Sequence, residues 1–88
     1  MTSIRRLVLD VLIPLNMPIE DLALKLSKVR GVDGVDILIQ EVERKVEASK
    51  MTIEGSDINF TAVKDILDKA GASLQSIDRV TCGERIVG

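Results

Sequence analysis

At 88 residues the chain is long enough for one small domain, 1–88, and no more. Its 45% hydrophobic and 30% charged residues exclude a disordered chain, and 12 basic against 14 acidic residues leave a formal charge of -2 with no phosphate-backbone footprint. The absence of histidine excludes Ser–His–Asp triads and Cys–His pairs, and the lone Cys82 excludes an internal disulfide, which suits a reducing cytoplasm.

Residues 4–13 read as the first strand. Leu7, Leu9, Val11 and Ile13 alternate with Arg6, Val8, Asp10 and Leu12. A second face mixing apolar and charged residues suits a central strand with one half-covered side. Asp10 interrupts the apolar run and Pro14 ends it, so the segment reads as a strand and not as a signal peptide. No stretch reaches the ~18–20 apolar residues of a membrane span.

Pro18 opens a helix expected over 18–30, with Asn16 as a candidate cap. Glu20 and Asp21 complement the dipole in the first turn. Ile19, Leu22, Ala23, Leu26 and Val29 form its apolar stripe, and Gly31 stops it. Gly31-Val32-Asp33-Gly34-Val35 follows a helix instead of opening one, so it reads as a helix stop and tight turn, not a phosphate loop.

A second strand is expected over 34–43. A longer hairpin loop or solvated ribbon around 43–47 follows, because no Asn-Gly or similar turn is present. A third strand is expected over 48–54, with Met51 and Ile53 inward and Lys50, Thr52 and Glu54 outward. Asn59 caps the second helix, with Ile58 and Val63 spaced as a hydrophobic staple. Phe60, Val63, Ile66, Leu67 and Ala70 form its stripe, and Gly71 ends it. The last strand, about 74–82, carries Leu74, Ile77, Val80 and Cys82 out of strict alternation, which a bulge explains. Ile86-Val87 reads as an apolar tail that pairs with an edge or a neighbour.

The order strand–helix–strand–strand–helix–strand predicts an α+β, ferredoxin-like βαββαβ sandwich. A four-stranded antiparallel sheet would carry both helices on one face. The other face, left bare, would hold Val8, Asp10, Leu12, Asp36, Leu38, Thr52, Glu54 and Asp78. Two groups there have functional content. Asp10, Asp36, Glu54 and Asp78 would bind calcium or magnesium if they converged, since such ions want several oxygen ligands. Carboxylates solvated or paired with Arg6, Lys50 and Arg79 are the plainer and preferred reading. Val8, Leu12 and Leu38 would form a subunit interface on a sheet lacking a second layer. Cys82 is expected to be a small buried residue. The strands lack the aromatic residues that stack on RNA bases, so nucleic acid is not an expected partner.

Arg5-Arg6-Leu7-Val8-Leu9-Asp10-Val11-Leu12 with Pro14, Lys28-Val29-Arg30-Gly31-Val32-Asp33-Gly34-Val35, Thr52-Ile53-Glu54-Gly55, and Ser76-Ile77-Asp78-Arg79-Val80 followed by Gly83 stand in an order and spacing that spans nearly the whole chain. Together they resemble the uncharacterised archaeal domain-of-unknown-function family 211. The resemblance implies a ferredoxin-like fold and homo-oligomers, plausibly rings, and no catalytic residues. Arg44-Lys45-Val46 in the hairpin departs from the family pattern. The expectation is a non-enzymatic, cytoplasmic, self-assembling module without a cofactor. Its alternative is a ligand- or cation-binding regulatory domain that uses the acidic face or a subunit boundary.

Overall fold

The computed structural model describes residues 3–85 and Val87. Its elements are β1 (Ile4–Pro14), α1 (Ile19–Ser27), β2 (Val32–Val42), β3 (Val46–Gly55), α2 (Phe60–Lys69) and β4 (Ser73–Cys82). The strands form one sheet in the order β2-β3-β1-β4, with every neighbouring pair antiparallel. Both helices contribute to a single core, so the expected ferredoxin-like arrangement is the one observed.

Alternation decides which side of the sheet is covered. Leu7, Leu9, Val11 and Ile13 of β1 and Met51 and Ile53 of β3 point to the helix side and are buried. Leu22, Leu26, Val63 and Leu67 meet them from the helices. Ser49 shares this buried layer because its hydroxyl donates to the Val11 carbonyl at 2.8 Å.

Several boundaries differ from the expectation. Helix α1 stops at Ser27, not residue 30, and Lys28 closes it by donating to the Lys25 carbonyl. Asn16 does not cap it: Pro18 holds the cap position and no side chain bonds the first amides there. The hairpin is shorter than expected. Strands β2 and β3 run on until only Glu43, Arg44 and Lys45 remain between them, and the Glu43 amide donates to the Val46 carbonyl at 2.8 Å. Paired strands continue into charged sequence because backbone bonding does not depend on apolar side chains.

Other readings hold. Asn59 accepts from the Ala62 amide at 3.1 Å as the cap of α2, with Ile58 and Val63 both buried beside it. Irregularities in β4 set Gln75 and Asp78 as extra residues against β1, between the pairs Val11–Leu74 and Asp10–Ser76 and between Leu9–Ile77 and Val8–Arg79. One expectation is corrected: Cys82, at the end of β4 opposite Ile4, is exposed and not buried, while Thr81 opposite Arg6 is buried. Of the expected apolar tail, Ile86 lies outside the described residues and Val87 is exposed.

Arg5 ties the ends of the chain together. Its guanidinium donates to the carbonyls of Gly55 (3.0 Å), Gly83 (3.3 Å) and Glu84 (2.8 Å). The residues after β4 are thereby held against the start of β1.

Candidate functional site on the open sheet face

The side of the sheet away from the helices carries the residues assigned to it from sequence. Cross-strand register sorts them into rows. Gly34, Glu54 and Arg6 share the first row. Asp36, Thr52, Val8 and Arg79 share the second, and Leu38, Lys50, Asp10 and Ser76 the third. Glu41, Ala48, Leu12 and Ser73 make the fourth.

The third row gathers two carboxylates around one ammonium group. Lys50 Nζ lies 2.7 Å from Asp78 Oδ2 and 3.2 Å from Asp10 Oδ1, an oxygen shielded from solvent. The Ser76 hydroxyl stands 2.8 Å from Asp78 Oδ1 and 3.2 Å from Asp10 Oδ2, and its one proton serves either carboxylate in turn. One row up, Arg6 Nε meets Glu54 Oε2 at 2.9 Å.

The four carboxylates weighed as cation ligands therefore do not converge. Asp10 and Asp78 come together around an ammonium group, Glu54 is taken by a guanidinium, and Asp36 stands apart at the β2 edge. Among the described residues no group of three or more acidic, cysteine or histidine side chains is placed to hold a metal ion. The apolar residues are divided as well. Val8, Leu12 and Leu38 share the face, but Asp10 and Lys50 lie between Val8 and Leu12, and Leu38 sits beyond Lys50 on β2. A shallow depression of about 250 Å³, lined by Gly34, Val35, Asp36, Thr52 and Glu54, occupies one end of this face.

Sequence reasoning named Arg6 and Lys50 as partners for these carboxylates, and both are, but it missed that Lys50 stands between two aspartates and that Ser76 joins them. Alternation put Lys50 outward, but only the pairing of Asp10 with Lys50 across β1 and β3 sets it between two aspartates. The Asp78 contribution depends on the β4 bulge, which moves that residue onto the open face.

These contacts have a pH signature. Lys50 is held above the ordinary lysine range, first by its hydrogen bond to Asp78 and then by Asp10. Asp78 is held below the ordinary aspartate range, first by Lys50 and then by the Ser76 hydroxyl. A lowered carboxylate stabilises the fold above about pH 4 and loses that contribution as pH falls through its native value. A raised lysine stabilises below about pH 10.5 and loses it as pH climbs through its native value. Lys50→Met leaves Asp10 and Asp78 facing each other, which reverses the acid limb. Between pH 6 and pH 3 the wild type should lose stability in urea titrations while the variant loses less or gains. Parallel acid limbs would show that the ion pair contributes nothing in solution.

Residues 5–88 match the family model of the domain-of-unknown-function family 211, described as "Uncharacterized ArCR". The chain belongs to this family. It is also 40% identical over 87 residues to an uncharacterized protein of Methanocaldococcus jannaschii, covering 99% of this chain and 90% of that one. The matched residues take in both helices and all four strands apart from Ile4. No helix among the described residues is long and apolar enough to cross a membrane.

Proposed function

We propose that this family 211 protein is a non-enzymatic cytoplasmic module that works by assembling with copies of itself. The observation that carries the reading is the incomplete cover of its sheet. Both helices lie on one side, and β2 and β4 each have a strand on one flank only. Large apolar side chains are left out of the core on these two strands: Leu38 is 58% exposed, Ile77 45% and Val80 51%. Long, unprotected edges with apolar neighbours invite pairing with another strand. A domain of this length also gains proportionally more from association than a larger one.

The absence of catalysis rests on chemistry. Lys50, Asp10, Asp78, Arg6 and Glu54 pair with one another, and Lys50 and Ser76 hold Asp78 below the ordinary aspartate range, opposite to what a general acid needs. The free, exposed Cys82 is consistent with a reducing compartment. The open face carries no aromatic residue, which disfavours RNA stacking.

Native mass spectrometry at micromolar concentration tests the reading: oligomers are expected, and a monomer would overturn it. The Asp36 and Glu54 depression favours a second reading, a regulatory domain binding a divalent cation. Two carboxylates are few for calcium, so millimolar calcium or magnesium is expected to leave the melting temperature unchanged. A rise of several degrees would put this reading first.

A further inference from the structure

We infer that the copies join head to tail, with the outer edge of β4 in one copy adding to the outer edge of β2 in the next. The inference rests on the self-assembly proposed above and names its junction. Strand β2 runs antiparallel to β3, β3 to β1, and β1 to β4. It follows that β2 and β4 point in opposite directions. Setting β4 of one copy beside β2 of another therefore continues the antiparallel sheet with the helix sides aligned. The two edges are closely matched in length, 10 and 11 residues.

The rows across the sheet indicate the register. On the helix side one row runs Val35, Ile53, Leu7, Val80, and the next runs Ile37, Met51, Leu9, Ile77. Between them on the open side lies the row Asp36, Thr52, Val8, Arg79. Continuing the sheet along these rows brings Val80 to Val35, Ile77 to Ile37, and Arg79 to Asp36. Two apolar pairs and one pair of opposite charge thus coincide in a single register, and such directly opposed pairs stabilise sheets.

The leftover groups agree with this. Ile77 and Val80 face the helix side but stand outside the packed core, whereas Val35, Ile37 and Ile39 of β2 are packed against it beneath α1. A neighbour's α1 would roof the exposed flank of β4. Asp36 and Arg79 are both exposed, and neither makes an ion pair among the described residues. Pairing β2 with β2 would instead bring two strands carrying Asp33, Asp36 and Glu41 together with no basic residue on either.

A head-to-tail junction uses two different surfaces, so it closes into a ring or grows as a filament. Three variants of the full chain test it: Arg79→Asp, Asp36→Arg, and the two together. All lie at exposed positions, and circular dichroism checks their folding. Sedimentation and native mass spectrometry should show wild-type assemblies of three or more copies. Each single reversal should weaken association about tenfold or more, and the double reversal should recover most of that loss. Assembly unaffected by the single reversals, or not recovered in the double variant, would overturn this junction. A wild-type species that stops at a dimer would overturn it while leaving self-assembly standing, and a wild-type monomer would overturn both.

Discussion

Gly55→Ala is expected to destabilise the domain by about 3 kcal/mol or more, lowering the melting temperature by about 12 °C or more. The end of β3 and the turn after α1 pass so closely that a Cβ on Gly55 would collide with the Gly31 carbonyl and lie 3.0 Å from the Val32 Cα. All of these are backbone atoms, so no rotamer change relieves the clash. The reciprocal position is as tight: Gly31 has φ +86°, and a Cβ there would meet the Asp57 carbonyl. This contact anchors the start of β2, because the Ser56 amide donates to the Gly31 carbonyl at 3.0 Å and the Asn59 amide to that of Arg30 at 3.2 Å. Moving the chains apart would break those bonds. Gly34→Ala is the control. A Cβ on Gly34 would have nothing within 4 Å of it, and the φ there is not positive. That substitution should change stability by less than about 1 kcal/mol. Thermal melts of the two variants decide the matter, and similar curves would show that the glycine contact is absent in solution.

The second large effect is expected at Leu9. This residue has no exposed surface and lies on central strand β1 between Met51 and Ile77. Leu9→Ala should cost about 2–5 kcal/mol through lost burial and the cavity left behind. Total stability for a chain of this length is on the order of 4–13 kcal/mol, so the variant would be partly unfolded at moderate temperature. Leu12→Ala removes the same atoms from the same strand, but on the open side, where the residue is half-buried. Its cost in the monomer should be about 1 kcal/mol. The comparison is a direct test of one-sided cover: equal losses in urea titrations would mean that the open side is packed as tightly as the helix side.

The functional consequence follows from what each side of the sheet leaves unfinished. Lys50 and Arg6 occupy three of the open-face carboxylates and Asp36 stands apart, and that weakens the case for a cation site built from Asp10, Asp36, Glu54 and Asp78 together. The same arrangement also breaks the apolar patch formed by Val8, Leu12 and Leu38 into separate residues. The β4 edge keeps Ile77, Val80 and Arg79 uncovered on both sides of the strand, and the β2 edge carries Asp36. Association at the edges extends the backbone hydrogen bonding as well as burying side chains, whereas stacking of open faces would have to desolvate the Asp10–Lys50–Asp78 row.

Element type and order were legible from the chain alone because they follow from local patterns. Alternation in residues 4–13, the helical stripe ending at Gly31, the Asn59 cap and the broken period of 74–82 each carry a signal within a few neighbouring residues. Which carboxylate meets which cation was not legible, because it depends on register between strands some 40 to 70 residues apart in sequence. Lys50 became the partner of two aspartates only when β3 aligned on β1 and a bulge turned Asp78 onto the same face. Periodicity along a chain reports which side of an element is apolar, while contact between elements is decided by long-range pairing that no local pattern records.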